Sequence, residues 1–242
     1  MSLNTEDYLQ YTKTPWGRMF YEIVWKQIDL HNDKSLNILD FGSGFGITAN
    51  HFAKSHNVLA IEPNKEMIEN RIKENNYKQV KNSTDYLLSL PSKSFDVIIC
   101  HNVLEYHENI SLLFSQFSRL LAEDGIISII VHNMNGKILQ SAVFENNPQK
   151  SLALLYGTET ADSQLFGEIN ICSYEKFANL LSLNNLKIVS KLGLRTFFAL
   201  IQNNEIKYDA VWYDNNIKLE LAVSDREPFK SISFYNHYII KK

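Results

Sequence analysis

The sequence predicts an α/β domain built on a mostly parallel sheet, and three observations carry that expectation. Short apolar runs, each the length of one strand, recur at 36–41, 58–61, 95–100 and 126–131. Stretches with helical spacing of apolar residues lie between them on short links, the pattern of strands joined by crossover helices. A glycine-rich turn at 42–46 directly follows the first run and directly precedes a helical stretch.

The elements follow in order. Trp16, Met19, Phe20, Ile23, Val24 and Ile28 recur at helical spacing and predict a lead-in helix over 16–30. Leu36–Phe41 is the first strand, 47–55 a helix, and 58–61 a second strand closed by Glu62-Pro63. Asn64 is placed to cap a polar-faced helix over 64–75. Residues 77–81 predict an edge-like third strand. Phe95–Cys100 is continuously apolar, as a central strand buried on both faces should be. Ile110–Leu121 is an amphipathic helix that Asp124-Gly125 terminates, and Ile126–Val131 is the fifth strand.

Residues 133–171 break this rhythm. The segment is long, rich in Asn, Gln and Glu, and has helical patches at 137–144 and 150–156. A segment of that length inside a compact domain predicts a cap or lid, and Phe144, Tyr156 and Phe166 give it aromatic content. A helix over 173–183 with Ser173 at its N-cap, a strand over 186–192, a helix over 204–224 and a final strand over 229–240 complete the chain. We expect one domain over 1–242, with 1–34 as a helical lead-in and 133–171 as a cap inserted after the fifth strand.

Composition narrows the function. The chain has 242 residues, 45% hydrophobic and 21% charged, enough for a sizeable core. Its net charge of -3 argues against holding duplex nucleic acid by charge alone. Cys100 and Cys172 have no CxxC partner, so neither a disulfide framework nor a structural zinc site is expected. Glu105, His107 and Glu108 fit no strong metal spacing, and no metal is expected. No apolar leader follows Met1, and no apolar run approaches the ~20 residues of a membrane span. The expectation is a cytoplasmic protein with no membrane partner.

The strongest motif is Asp40-Phe41-Gly42-Ser43-Gly44-Phe45-Gly46. Glycines permit the sharp turn and let a ligand approach the backbone. A dinucleotide loop calls for G-x-G-x-x-G, whereas here Ile47 holds the third glycine's place and the pattern is G-x-G-x-G. Glu62, 20 residues beyond Gly42, can accept hydrogen bonds from both hydroxyls of a ribose. Met67 suits an adenine face and equally suits a core. Thr84-Asp85 suits an adenine amino group or an Asx turn. His101 ends the central strand at the carboxyl edge, where open α/β sheets bind ligands.

The G-x-G-x-G loop with its upstream acid resembles the S-adenosylmethionine loop of class I methyltransferases. The resemblance extends to the tRNA 5-carboxymethoxyuridine methyltransferases. It is carried by 101–106, 120–128, His132-Asn133-Met134-Asn135-Gly136, Leu192 to Phe197, Arg226 to Phe229, Tyr235-Asn236-His237 and Thr14-Pro15-Trp16-Gly17, and so spans nearly the whole chain. It implies a seven-stranded, mostly parallel Rossmann-like sheet with helices on both faces. It also implies S-adenosylmethionine as cofactor, held by Asp40, Gly42, Ser43, Gly44, Gly46, Glu62, Thr84, Asp85 and His101. The implied acceptor pocket includes Arg18, Arg195 and Tyr235. That family carries an arginine immediately before its C-terminal tyrosine, where this chain has Phe234, and a basic residue where this chain has Phe20.

The implied reaction is methyl transfer to an oxygen or nitrogen acceptor, with a tRNA wobble uridine as leading acceptor and a small molecule as the alternative. A tRNA enzyme should gather Arg18, Lys137, Arg195, Arg226 and Lys230 around its pocket. A protein that binds the cofactor without catalysis is the competing class. No catalytic residue is assigned, because a carboxylate acceptor needs no base, and an amine or phenol could use His101, His132 or Tyr106.

Overall fold

The computed structural model describes residues 5–30, 34–163 and 167–242. Its strands are β1 (Asn37–Phe41), β2 (Asn57–Glu62), β3 (Lys78–Lys81), β4 (Phe95–His101), β5 (Leu121–His132), β6 (Asp162–Ser163), β7 (Gly167–Glu168), β8 (Lys187–Leu194) and β9 (Tyr235–Lys241). Its α-helices are α1 (Thr5–Lys13), α2 (Pro15–Ile28), α3 (Ile47–Phe52), α4 (Lys65–Glu69), α5 (Thr84–Leu88), α6 (Ile110–Leu120), α7 (Met134–Leu139), α8 (Pro148–Leu155), α9 (Tyr174–Ser182), α10 (Ala210–Val223) and α11 (Phe229–Ile232). Seven strands form one sheet in the order β3-β2-β1-β4-β5-β9-β8. The pairings β1 with β2, β1 with β4, β2 with β3 and β4 with β5 are all parallel. This is the mostly parallel, helix-flanked sheet the sequence predicted.

The chain divides into two compact units. One comprises 30–130, 172–190 and 238–242. At its centre β4 buries Val97, Ile98, Ile99 and Cys100, and β1 buries Ile38 and Leu39. Helix α6 turns Leu113, Phe114, Phe117 and Leu120 inward, one apolar stripe at helical spacing. Phe117 meets Phe41 edge-on at 5.7 Å, and Phe114 meets Phe177 of α9 at the same separation.

The other unit comprises 1–29, 131–171 and 191–237. Thr14 caps α2 by accepting the Gly17 N–H, with Pro15 in the first turn. In the inserted segment α7 continues into a π-helical turn at Gln140–Phe144, followed by α8 and the β6–β7 hairpin. These elements form a small core of Leu154, Ala161 and Ile169, with Met134, Ile138 and Ile171 packed on it.

Several boundaries differ from expectation. Helix α1 was not anticipated, because Thr5–Lys13 is mostly polar and buries only Thr12. The helix expected over 64–75 stops at Glu69, although Asn64 caps it as foreseen, accepting from Glu66 and Met67. Asp124-Gly125 does not separate helix from strand. Strand β5 begins at Leu121 and carries an irregularity opposite Phe95 and Val97, and a Cβ on Gly125 would lie 2.9 Å from the Asp96 carbonyl oxygen. The first residues of the expected final strand, 229–232, form α11 instead. Phe166 lies outside the described residues.

Candidate functional site

The glycine turn is shaped by its neighbours as much as by its own residues. Gly42, Gly44 and Gly46 all have positive φ, at 74°, 54° and 69°, a region that glycine enters without steric cost. The N–H groups of Gly42 and Ser43 both donate to the Ile61 carbonyl, tying the turn to the end of β2. A Cβ on Gly42 would lie 2.2 Å from Val103 Cγ2, and one on Gly46 would lie 2.1 Å from the Tyr77 hydroxyl. Both glycines are therefore walled in. Gly44 differs: a Cβ there would meet only the Met67 sulfur, at 3.8 Å. The turn is open to a ligand at Gly44.

Glu62 anchors the same place. Its Oε2 accepts the Gly44 N–H at 2.7 Å and its Oε1 accepts the Asn64 N–H at 2.8 Å. Each oxygen retains a further lone-pair direction for a pair of hydroxyls. Burial pushes the carboxyl above its usual range, and the two amides pull it back down. Gln79, from the edge strand β3, braces the turn from behind, donating to Ser43 Oγ at 3.0 Å and to the Gly44 carbonyl at 2.9 Å. Nothing in its sequence context marked Gln79. It is legible only once β2 and β3 are paired.

The remaining predicted cofactor residues fall in different settings. Asp40 is buried and takes a hydrogen bond from the Ala49 backbone in α3, and burial raises its pKa to about 7. Thr84 Oγ1 lies 2.7 Å from His107 Nε2, and that pair joins the start of α5 to the turn after β4. Asp85 is exposed. The His101 ring lies along the sheet, with Nε2 2.8 Å from Ser128 Oγ. Its neighbour Asn102 has φ of 55° and donates its N–H to the Ile130 carbonyl, while its buried Oδ1 has no partner. An unpaired buried acceptor at the carboxyl end of the central strand is a polar group awaiting a donor.

In the other unit a second polar cluster forms around Arg195. This residue is 7% exposed, has φ of 61°, and leaves its buried Nε without a partner. Its guanidinium lies 5.5 Å from the Phe234 ring centroid and 5.8 Å from that of Phe198. Burial opposes the charge, but a hydrogen bond with Tyr11 and the nearness of Tyr235 and Glu220 outweigh it and hold the guanidinium protonated. Glu220 accepts the backbone N–H groups of Thr196, Phe197 and Phe198 at 2.6, 2.8 and 2.8 Å. The buried acid beside Arg195 thus spends its oxygens on the main chain.

Tyr235 lies beside Arg195, between the rings of Phe20 at 5.4 Å and His132 at 4.7 Å. Lys137 of α7, 5% exposed, sits 4.9 Å above the Phe234 ring. Phe234 therefore supports two cations. Arg18 has a different setting. Its side chain is half exposed, paired with Glu22 at 3.5 Å and stacked on Tyr213 at 4.9 Å. Lys230 pairs with Glu227. Among the described residues no group of three or more metal-ligating side chains is assembled, and no helix is long and apolar enough to cross a membrane.

Residues 39–129 match the family model of a methyltransferase domain. The chain is 21% identical over 251 residues to the tRNA 5-carboxymethoxyuridine methyltransferase of Escherichia coli (strain K12), covering 95% of this chain and 90% of that one. It is 30% identical over 117 residues to the ubiquinone biosynthesis O-methyltransferase of Pelagibacter ubique, covering 46% of this chain and 47% of that one. Among solved structures it shares its fold with an S-adenosylmethionine-dependent methyltransferase from Archaeoglobus fulgidus. The TM-score is 0.64 at 17% identity, covering 97% of this chain and 99% of that one.

Proposed function

We propose that the chain is an S-adenosylmethionine-dependent methyltransferase, in keeping with the methyltransferase-domain match at 39–129, and that its acceptor is a carboxylate, carried on the modified wobble uridine of a tRNA. The observation that carries this reading is Arg195. A buried guanidinium with an unpaired Nε, beside an acid already committed to the backbone, is arranged to take an anion.

The residues around the glycine turn fit the cofactor. Gly44 offers the open face and Glu62 offers two oxygens to the ribose hydroxyls. We assign Gly42, Ser43, Gly46, Thr84, Asp85 and His101 to the same site. Asp40 acts from behind by holding the start of α3. The Asn102 side-chain oxygen is an acceptor for a cationic amino group. S-adenosylmethionine, when bound, supplies a methyl group already activated by its sulfonium charge. A carboxylate acceptor brings its own electron pair, so no side chain has to take up a proton. The work left to Arg195 and Tyr235 is orientation, which can supply much of the acceleration of a displacement. Arg18 contributes at the margin of this site, and the 133–171 segment serves as its cap through Lys137.

The family arginine that precedes the C-terminal tyrosine is replaced here by Phe234, and Arg195 and Lys137 flank that ring. Two cations brought in from other elements take over its charge. A second reading, a phenolic small molecule, is favoured by the partial match to an O-methyltransferase of ubiquinone biosynthesis and by the net charge of -3. It needs a base, and His132 beside Tyr235 is the candidate.

The test is methyl transfer from radiolabelled S-adenosylmethionine to tRNA carrying 5-carboxymethoxyuridine, with unmodified tRNA and a catechol as controls. Label in the modified tRNA alone supports the carboxylate reading. Label in the catechol alone sinks it and leaves the phenolic one.

A further inference from the structure

Lys207 is an unusual lysine. It lies in the short 3₁₀ turn Glu205–Tyr208 and is 1% exposed, where lysines are almost never found without a partner. Its Nζ donates to the Ile201 carbonyl at 2.8 Å and to Asn204 Oδ1 at 3.0 Å. The same ammonium lies 4.8 Å from the Trp16 ring centroid and 4.9 Å from that of Phe198. Phe198 is also one of the two rings beneath the Arg195 guanidinium. One aromatic ring therefore serves two buried cations. Trp16 in turn meets Phe198 edge-on at 6.2 Å, which closes the cluster.

Two buried like charges cost free energy unless an anion or hydrogen bonds offset them. Lys207 offsets part of its cost through two carbonyl-type oxygens, which take two of its three hydrogens, and through two ring faces. Arg195 keeps its buried Nε unpaired. The two cations have different tasks: Arg195 presents charge, and Lys207 fixes the wall behind it. Burial and the Arg195 charge lower its pKa to about 8, the direction expected of a buried ammonium beside a second cation.

We propose that Lys207 is a positioning residue for an anionic acceptor: its ammonium pins the 201–204 segment and Trp16 to Phe198, and so holds the aromatic platform on which Arg195 meets a carboxylate. This rests on the carboxylate reading above, and it adds a residue that makes no contact with the acceptor itself.

The test compares Lys207→Met, which keeps length and apolar bulk, with Lys207→Arg, which keeps the cation. Two probes are used on the full chain. One is an anticodon stem-loop carrying 5-carboxymethoxyuridine, read by KM and kcat. The other is benzoate, read by its dissociation constant from tryptophan fluorescence. Lys207→Met should raise the stem-loop KM and the benzoate constant by about tenfold, the scale of a buried cation–π contact with its hydrogen bonds, and leave kcat within about twofold. S-adenosylmethionine affinity should not move, and Lys207→Arg should restore most of the loss. Equal KM in Lys207→Met and the parent overturns the inference, as does a KM rise in Lys207→Arg as large as in Lys207→Met. A parent that binds benzoate but leaves the stem-loop unmethylated sinks the acceptor reading and leaves Lys207 to be judged on benzoate. A parent that does neither overturns both. If Lys207→Met does not fold, Lys207→Gln takes its place with the same expected KM rise.

Discussion

Glu62 accepts the backbone N–H of Gly44 at 2.7 Å, so the carboxylate at the end of β2 fixes the most open point of the glycine turn. The same carboxylate accepts from Asn64 through its other oxygen. In Glu62→Gln one of these two amides would face an NH₂ group, a donor against a donor. Loss of charged hydrogen bonds costs roughly 1.5–3 kcal/mol, or about ten- to a hundredfold in affinity. Calorimetric titration with S-adenosylmethionine should show that loss, and the melting temperature should fall by a few degrees as well, because the clash lies within the folded chain. Gly44→Asp fills the one open face and should abolish binding, while NAD should bind neither protein. Undiminished binding in Gly44→Asp would remove the turn from the cofactor site.

Arg195→Met leaves Tyr11 and Tyr235 in place and removes only the buried guanidinium. It should raise the acceptor KM by roughly ten- to a hundredfold, the range of a charge-assisted pair. Cofactor affinity should stay unchanged. Arg195→Lys should not rescue it, because a lysine keeps the charge but loses the planar fork. A kcat loss with KM unchanged would instead mean that Arg195 acts only in the transition state.

Gly17 tests the N-terminal pair of helices. A Cβ there would come within 2.5 Å of Thr12 Cα and of the Tyr11 carbonyl oxygen, and both are main-chain atoms that cannot rotate away. Gly17→Ala should force α1 from α2 and destabilise the fold by about 1–3 kcal/mol, the usual cost of overpacking. Because Tyr11 hydrogen-bonds Arg195, the variant should also raise the acceptor KM. A melting temperature equal to the parent's would show that the helices separate at no cost.

These residues differ in how far the sequence discloses them. Gly44 and Glu62 were legible because strand, turn, helix and strand are consecutive, so their spacing is local. Asn64 was legible as a cap for the same reason, but the early end of α4 was not. The Ile72 N–H donates to the Phe45 carbonyl, a tertiary hydrogen bond that no helical periodicity encodes. Arg195 and Tyr235 entered only through a family resemblance, because the cluster gathers Tyr11, Trp16, Arg195, Lys207, Glu220 and Tyr235 from separate elements. Lys137 was named in sequence only as one of five basic residues a tRNA enzyme should gather, and Lys207 was not singled out, since nothing local says that a lysine will be covered. Gln79 and α1 were missed because polar residues at an edge strand or in a short helix carry little periodic signal.

His237 gives the pH dependence. It is fully buried in β9 with Nδ1 2.7 Å from Gln27 Oε1, and Gln27 donates onward to the Gly193 carbonyl at 2.9 Å. Burial lowers its pKa from 6.5 to about 3. A histidine held neutral in the folded state and free to protonate when unfolded destabilises the fold as pH falls below 6.5. The loss continues down to about pH 3, at about 1.4 kcal/mol per pH unit. Asp40 acts oppositely over part of this window. Its pKa is raised from 3.8 to about 7, so it costs stability above 3.8 and returns it as pH falls. The two slopes partly cancel in the parent protein, which makes the difference between proteins the informative quantity. In His237→Asn the amide can still donate to Gln27 but cannot protonate. Between pH 6.5 and 5, urea denaturation should show the parent losing about 2 kcal/mol relative to this variant. Parallel pH profiles would mean that His237 already protonates in the folded state.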